Sequence, residues 1–425
     1  MLKQILIEQN PHWENRLNSY VRREAFDTLI RYLPLKLIVT ITGIRRCGKS
    51  TLAKSAINHL IENKTNPRNI LFVNLEQPHF LEYRHDASYL GVIYDEYLKL
   101  ANPQGQVYVI FDEIQFFDNW QVYVKSKYES SDIKFIITGS NSSMLSSDLA
   151  TLLTGRSLNI HLDTFSFKEY LTYLQIDFGD TIKRLTNRIA ITRAKEEYLK
   201  WGGFYEVISI EDELVKKELL ISYAKNIIYR DIVPRYSIRN SEVVERLFFY
   251  LVSNTATILN YQTLSQTFSI SDKTIKEYIH YFEEVFLLQR IDRFHSKPKE
   301  RIKSMKKIYV NDNGFLQVAP RNSPNMGTAL ENMVFNALYE QNENLTYLKE
   351  TYEIDFHLQN VLYQVSYEIS DEKTKKRELN AFEHYAKANQ QCRLITLDSN
   401  ETLVINEKTI EVQSIDRFLL GEDNG

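Results

Sequence analysis

The sequence predicts an α/β protein: a parallel-sheet core first, then a helical middle region, then a smaller α/β unit. Three observations carry this. Short apolar runs of strand length alternate with amphipathic helical stretches up to about residue 140, the pattern of a parallel sheet covered on both faces. From about residue 180 the strand-like runs stop, and segments rich in Lys, Glu and Leu take over. Alternation returns after residue 307.

Taken in order, residues 1–35 read as helical and end at Pro34, which cannot continue a helix. Leu37 to Thr42 is an apolar run of buried-strand type, followed by a glycine loop. From Ser50 to Asn63, the spacing of Leu52, Ala53, Ala56, Ile57, Leu60 and Ile61 marks one face of a helix. Ile70 to Leu75, Val107 to Phe111 and Ile133 to Thr138 read as further buried strands. Arg193 to Ile238 reads as helices. Val244, Leu247 and Leu251 then share one helix face, Thr263 to Gln266 begins a second helix, and Ser271 is placed to cap a third running from Thr274 to Phe286. A short helix, a tight turn and a longer helix make a helix-turn-helix pattern. Arg290, Arg293, Lys297, Lys299, Arg301, Lys303, Lys306 and Lys307 follow against only Asp292 and Glu300, so this run reads as a basic hairpin or wing. Beyond it, Lys307 to Val310, Glu353 to Leu358, Val361 to Ile369, Arg393 to Leu397 and Leu403 to Ile405 read as strands, and Thr328 to Glu340 and Lys373 to Ala388 as helices.

The composition fits this organisation. The chain has 425 residues, 43% hydrophobic and 25% charged, enough apolar content for several packed cores and too much for whole-chain disorder. The two cysteines, Cys47 and Cys392, cannot build a disulfide framework or a Cys-rich zinc site, and they suit a reducing cytoplasm. No apolar run approaches the ~18 residues a membrane span needs. The nine histidines show no His-x-x-x-His pair, which leaves metal chemistry beyond Mg²⁺ without support. A net charge of −3 gives no global attraction to nucleic acid, so such binding would need a local basic patch.

The most specific motif is Gly43-Ile44-Arg45-Arg46-Cys47-Gly48-Lys49-Ser50, which fits G-x-x-x-x-G-K-[ST] between a buried strand and an amphipathic helix. Glycines let the backbone N–H groups curl around an anion, and the helix N-terminus adds its positive end. The expected nucleotide-binding residues are therefore Gly43 to Ser50 and the adjoining Thr51. Lys49 would reach the β and γ phosphates of ATP, and Ser50 would hold Mg²⁺. Arg45 and Arg46 flank phosphates or pack on the protein. Cys47 reads as a small loop residue or an oxidisable one.

Asp112 and Glu113 close an apolar strand about sixty residues downstream of Lys49. Two acids at such a tip are costly unless solvated or used. Asp112 is expected to bind Mg²⁺ through water, and Glu113 to orient the attacking water. Thr138-Gly139-Ser140-Asn141 ends another apolar strand, where Ser140 or Asn141 could sense the γ-phosphate or simply form a turn. Arg156, in Thr154-Gly155-Arg156, reads either as an arginine finger, in cis or toward a neighbouring copy, or as a salt-bridged surface residue.

These motifs, with Phe165-Ser166-Phe167-Lys168-Glu169-Tyr170, Tyr229-Arg230-Asp231-Ile232 and Ile308-Tyr309-Val310-Asn311-Asp312, resemble bacterial and archaeal AAA-type ATPases of the origin-recognition-like branch. The resemblance spans nearly the whole chain. It implies an ATPase core with an added strand between the P-loop strand and the Asp-Glu strand, a winged-helix middle, and a C-terminal domain of unknown function with a PD-(D/E)xK nuclease-like fold. The expected boundaries are a P-loop ATPase domain at 1–178, a helical lid at 179–240, a winged-helix domain at 241–305 and a degenerate nuclease-like domain at 306–425.

Such a nuclease needs a helix acid, a strand Asp, then Glu-x-Lys on the next strand, where the acids gather Mg²⁺ and the Lys serves the attacking water. Glu331 and Asp355 supply the first two. Gln364 and Ser366 stand where Glu and Lys are required, with Glu368 two residues on, so cleavage is not expected. For DNA, a winged helix places its third helix in the major groove. Lys273, Lys276, Tyr278 and His280 are available there, but Glu277, Glu283 and Glu284 oppose them, and the wing lysines and arginine Lys297, Lys299, Arg301 and Lys303 make the better candidate contacts.

The expected function is an ATP-binding, Mg²⁺-dependent ATPase whose nucleotide state controls the C-terminal parts in nucleic-acid-associated work. The competing readings are an ATP-gated protein-interaction switch without DNA and an ATP-gated nuclease. A homo-oligomer is compatible with all three.

Overall fold

The computed structural model describes residues 1–142, 155–320, 325–387, 389–406 and 408–421. The chain divides into two compact units: residues 1–163 with 284–286, and residues 164–283 with 287–425.

The first unit is built on a five-stranded sheet: β1 (Ile38–Thr42), β2 (Ile70–Asn74), β3 (Val107–Asp112), β4 (Ile133–Gly139) and β5 (Ser157–His161). Its order is β2-β3-β4-β1-β5, and every pairing is parallel. β4 thus lies between β1 and β3, as the resemblance implies. The central strands β1 and β4 are buried throughout, which explains their mainly apolar sequences; the one charged residue in them, Lys134, is buried with its ammonium donating to the carbonyls of Tyr32, Leu35 and Leu37. Helices α1 (Leu2–Gln9), α2 (Ala25–Tyr32), α3 (Lys49–Glu62), α4 (Tyr89–Ala101) and α5 (Trp120–Ser130) complete the unit. One core joins Leu71 and Val73 of β2 and Val109 and Phe111 of β3 to Leu6, Ile93, Tyr97 and Trp120 of the helices.

Two expectations are corrected here. Residues 1–35 are not continuously helical: α1 stops at Asn10, and α2 starts only at Ala25. The intervening polar side chains serve the edge of the sheet. The Asn10 side chain accepts from the Phe72 N–H at 2.7 Å and donates to the Phe72 carbonyl at 2.9 Å, and Gln9 accepts from the Asn74 N–H at 2.7 Å. Trp13 Nε1 donates to the Ile70 carbonyl at 2.8 Å. These residues occupy hydrogen-bonding positions that would otherwise leave β2 an open edge. The second correction is β5, which periodicity did not reveal. It is the other edge strand, with Ser157, Leu158 and Asn159 at least partly exposed and only Ile160 buried, so no apolar run announces it.

The second unit carries a nine-stranded mixed sheet, β13-β14-β12-β11-β10-β9-β7-β8-β6. The strands are β6 (Thr257–Ile258), β7 (Leu288–Arg293), β8 (Lys306–Val310), β9 (Thr346–Lys349), β10 (Glu353–Leu358), β11 (Val361–Val365), β12 (Gln391–Thr396), β13 (Glu401–Ile405) and β14 (Lys408–Ser414). Of its helices, α6 (Ser241–Ser253), α7 (Tyr261–Phe268) and α8 (Asp272–Glu284) match the three read from the sequence. The Ser271 hydroxyl accepts from the Thr274 N–H at 3.1 Å, as the cap predicts. A short helix α9 (Pro298–Lys303) joins β7 to β8, and α10 (Met326–Gln341) and α11 (Glu372–Tyr385) follow.

The expected boundary at 305/306 falls between the two strands of one hairpin. β7 pairs antiparallel with β8, β8 with β6, and β7 also runs parallel to β9. The basic hairpin is therefore continuous with the C-terminal sheet, which is wider than the smaller unit the sequence suggested. β9 and β14 were not legible as apolar runs: Thr346–Lys349 is only four residues long, and β14 mixes Lys408, Thr409, Glu411 and Gln413 with its buried Ile410 and Val412.

Candidate nucleotide site

The loop after β1 turns at Gly43 and enters α3 at Lys49. Gly43 has φ +151°, and a Cβ there would stand 2.0 Å from the Leu162 carbonyl oxygen, so no other residue fits without backbone movement. Gly48 adopts φ +105°, again a glycine conformation, and its C=O accepts from the Leu52 N–H at 2.8 Å to start the helix. Arg46 also has positive φ, at 73°, and lies exposed at the bend.

Lys49 is 3% exposed. Its ammonium donates to the carbonyls of Gly43 and Ile44, each at 3.0 Å, and stands 3.6 Å from the Glu113 carboxylate. Burial alone would lower its pKa, but Glu113, Cys47 and Asp112 outweigh that, and Lys49 is held charged. The ammonium thus lies folded over its own loop, within reach of anything the loop amides bind.

Asp112 and Glu113 do converge on Lys49, across the intervening β4. Asp112 is fully buried, and its Oδ1 accepts from the Thr138 hydroxyl at 2.7 Å. The same Thr138 oxygen accepts from the Glu113 N–H at 3.0 Å. Glu113 sits at φ 56°, a left-handed bend that turns its side chain away from the strand direction. Its Oε2 accepts from Gln115 Nε2 at 2.5 Å, and Gln115 also donates to Ser140 Oγ at 3.1 Å.

The two acids titrate in opposite directions. Burial, with Glu113 adding to it, pushes Asp112 up to about 6 against the Thr138 and Ser50 hydroxyls and Lys49. Burial also opposes charge on Glu113, but Lys49, Arg45, Gln115 and Ser140 overcome it and hold that carboxyl below its usual range. Asp112 Oδ2 is buried without a hydrogen-bond partner. A buried carboxylate oxygen lacking a donor, beside the Ser50 hydroxyl, fits a hard cation with oxygen ligands, so the donor set suits Mg²⁺.

Other expected residues are placed differently. The Arg45 guanidinium donates to both oxygens of Glu76 at 2.9 Å, so it is held by a carboxylate. Cys47 is buried, and burial pushes its thiol up, which makes it a packed loop residue and not a reactive one. Thr51 is exposed on the first turn of α3. Arg156 is corrected as a cis finger. It precedes β5, its carbonyl accepts from the Ile38 N–H at the start of β1, and its side chain pairs with Glu129 at 3.0 Å. The P-loop leaves the opposite end of β1, about 16 Å away along the strand.

Three residues of the site escaped the sequence reading. Thr138 bridges the two acids, and its only signal was a hydroxyl at the tip of an apolar strand. Gln115 couples Glu113 to Ser140. Arg23 is buried, and donates from Nη1 to the Cys47 carbonyl and from Nη2 to the Asp163 carbonyl, each at 2.7 Å, tying the P-loop to the segment after β5. Nothing local marks Arg23, which comes from a stretch that looked like ordinary helix.

The basic run is mostly committed inside the second unit. Arg290 donates to Glu283, Arg301 and Lys306 to Asp292, and Lys307 is buried among carboxylates. Lys297, Lys299 and Lys303 are left exposed, with Lys297 3.5 Å from Glu300. Arg293 is half-buried and lies 4.0 Å from Glu350, so the expected eight-residue field is reduced to three exposed lysines. On α8, Lys276 pairs with Asp272 at 3.0 Å and Lys273 lies 3.9 Å from Glu277. Among the described residues no helix is long and apolar enough to cross a membrane.

Residues 36–171 match the AAA domain family, and residues 192–325 match a domain of unknown function. The chain is 32% identical over 402 residues to the uncharacterized protein MJ1544 of Methanocaldococcus jannaschii, covering 90% of this chain and 87% of that one. It is 30% identical over 361 residues to an uncharacterized protein of Haemophilus influenzae, covering 82% and 87%. Among solved structures, the Aeropyrum pernix ORC1 protein in complex with DNA aligns with 73% of this chain and 93% of its own, at 12% identity and a TM-score of 0.33. AMPPCP-bound DnaA from Aquifex aeolicus aligns with 65% and 92%, at 15% identity and a TM-score of 0.28.

Proposed function

The chain carries an AAA domain over residues 36–171 and belongs to one family with MJ1544 and the Haemophilus influenzae protein, and from that premise we propose that it is a Mg²⁺-dependent ATP hydrolase. The observation that carries the proposal is the convergence of Lys49, Asp112 and Glu113 at the mouth of one glycine loop.

The loop amides from Ile44 to Ser50 cradle the phosphates, with the N-terminus of α3 adding its positive end. Lys49 leaves its own carbonyls and donates to phosphate oxygens, which accept better than neutral carbonyls because they are charged. Ser50 and Asp112 are the residues that would hold Mg²⁺, whose chemistry is to neutralise charge developing on the transferred phosphoryl group. Glu113, already ionised, positions the attacking water and accepts its proton. Ser140 and Gln115 fix the Glu113 carboxylate, and Ser140 reports the state of the γ-phosphate. An arginine from a second copy, Arg156 being one candidate, would complete charge stabilisation. Nucleotide state then controls the winged-helix-like and nuclease-like parts of the second unit.

The test is ATP turnover by the wild type and by Glu113→Gln, each with and without duplex DNA. Turnover should fall by at least ~100-fold in the variant, as expected when a water-positioning group is lost. Equal rates in all four conditions would overturn the hydrolase reading. A nucleic-acid role rests on Lys297, Lys299 and Lys303. A protein-interaction switch without DNA is favoured by the internal pairing of Arg290, Arg301, Lys306 and Lys307. Charge reversal of the three exposed lysines separates the two: DNA retention at low salt falls under the first reading and is unchanged under the second.

A further inference from the structure

The second unit contains a buried ionic cluster that the nucleotide site does not use. Lys307, on β8, is 2% exposed. Its Nζ stands 2.7 Å from Glu331 Oε1 on α10, 2.8 Å from Glu353 Oε1 and 3.3 Å from Asp355 Oδ1, both on β10. An ammonium has three N–H donors, and three carboxylates from two elements surround this one. The carboxylates are fixed in turn. Tyr309 donates its hydroxyl to Glu331 at 2.8 Å, Lys349 reaches Glu353 at 2.6 Å, and Asp355 Oδ2 accepts from the Val365 N–H at 2.9 Å.

Glu331 and Asp355 are the two acids that a nuclease-like centre would use to gather Mg²⁺. The remaining residues do not fit such a metal. Gln364 points its oxygen at the Asp355 N–H at 3.2 Å and its amide nitrogen at Glu378 at 2.6 Å, so it serves the fold. The Ser366 hydroxyl donates to the Glu368 carbonyl at 2.9 Å. A catalytic cation also needs open coordination positions for water and substrate. Here the middle of the cluster is filled by a side chain of the same chain. Among the described residues, as the side chains lie with Lys307 in place, no group of three or more His, Cys, Asp or Glu is arranged to hold a metal ion.

We propose that Lys307 is a tethered counter-cation that closes the Glu331–Glu353–Asp355 centre to divalent metal, so that the second unit works without metal-dependent phosphodiester cleavage. A single ammonium supplies the positive charge, satisfies the carboxylate oxygens and leaves no open position. The corollary is that the centre becomes a divalent-cation site once the ammonium is removed. The inference does not depend on the nucleotide site.

The test measures Mn²⁺ bound per chain by the full-length, nucleotide-free protein, from the electron paramagnetic resonance of free Mn²⁺. Wild type and Asp355→Asn should bind equally. Lys307→Met should gain one Mn²⁺ per chain, and Lys307→Met with Asp355→Asn should lose it again. Loss of a bound Mn²⁺ on going from wild type to Asp355→Asn would overturn the proposal, because metal would then enter with Lys307 in place. Absence of any gain in Lys307→Met would overturn it equally. Should Lys307→Met not fold, Lys307→Gln carries that arm, and the comparison of wild type with Asp355→Asn remains decisive.

Discussion

Replacing Lys49 by Met should do more than weaken nucleotide binding: it should destabilise the empty first unit. Lys49 and Glu113 stand 3.6 Å apart, both nearly buried. At an effective dielectric of about 20 their attraction is about 4–5 kcal/mol, before any cost of desolvation. Breaking a buried pair by removing one partner costs about 3–5 kcal/mol. Arg45 also acts on Glu113, and Gln115 still donates to it. The low end, about 3 kcal/mol, is therefore expected for Lys49→Met. Adding Glu113→Gln removes the stranded carboxylate, so the double variant should be about 2 kcal/mol more stable than the sum of the two single effects. Three tryptophans are present, Trp13, Trp120 and Trp201. In a Trp201→Phe background, urea unfolding followed by fluorescence reports the first unit alone. The pH sign follows from the depressed Glu113 carboxyl. Its contribution is complete above the ordinary value of 4.5 and is lost as the pH falls through the lower folded value. Additivity of the single effects to within about 0.5 kcal/mol would refute the reasoning, because the ammonium would not then be what keeps Glu113 ionised.

Three further outcomes are expected. Arg23→Ala removes two charge-assisted bonds to carbonyls of separate segments, costing about 3 kcal/mol in stability and weakening ATP binding at least several-fold by calorimetry; Arg23→Lys should recover only part, since an ammonium cannot span both carbonyls as the fork does. Gly43→Ala forces a methyl onto the Leu162 carbonyl, and calorimetry should show ATP affinity lost even if the variant remains folded, because the loop can no longer approach the segment after β5. His12 is buried beside the Ile70 carbonyl, and burial pushes its pKa down to about 4. The unfolded chain therefore binds the proton first, and stability is lost as the pH falls from about 6.5 toward 4, by about 3 kcal/mol in total. His12→Gln should flatten that part of the pH profile in urea titrations.

What could be read from residue order was whatever depends on neighbours in the chain. The P-loop is one continuous octapeptide whose glycines, lysine and serine act through local backbone geometry, so Gly43 to Ser50 could be read directly. The apolar runs of β1, β3 and β4 were legible because both faces of a central parallel strand are buried. The same reasoning failed at β5 and β14, where polar and apolar residues interleave.

A phosphate loop, a paired acid and two α/β regions were legible in residue order. Which charges meet depends on the three-dimensional fold. Asp112 and Glu113 face Lys49 because β4 inserts beside β1, and Thr138 then bridges the acids. Arg156 is carried to the far end of the same sheet and leaves the site. Lys307, one more basic residue in a basic run, is drawn inward to three carboxylates from α10 and β10. The physical reason is that Coulomb and hydrogen-bond energies depend on separation in space. Strand order and register set that separation between residues far apart in the chain, and no local pattern encodes it.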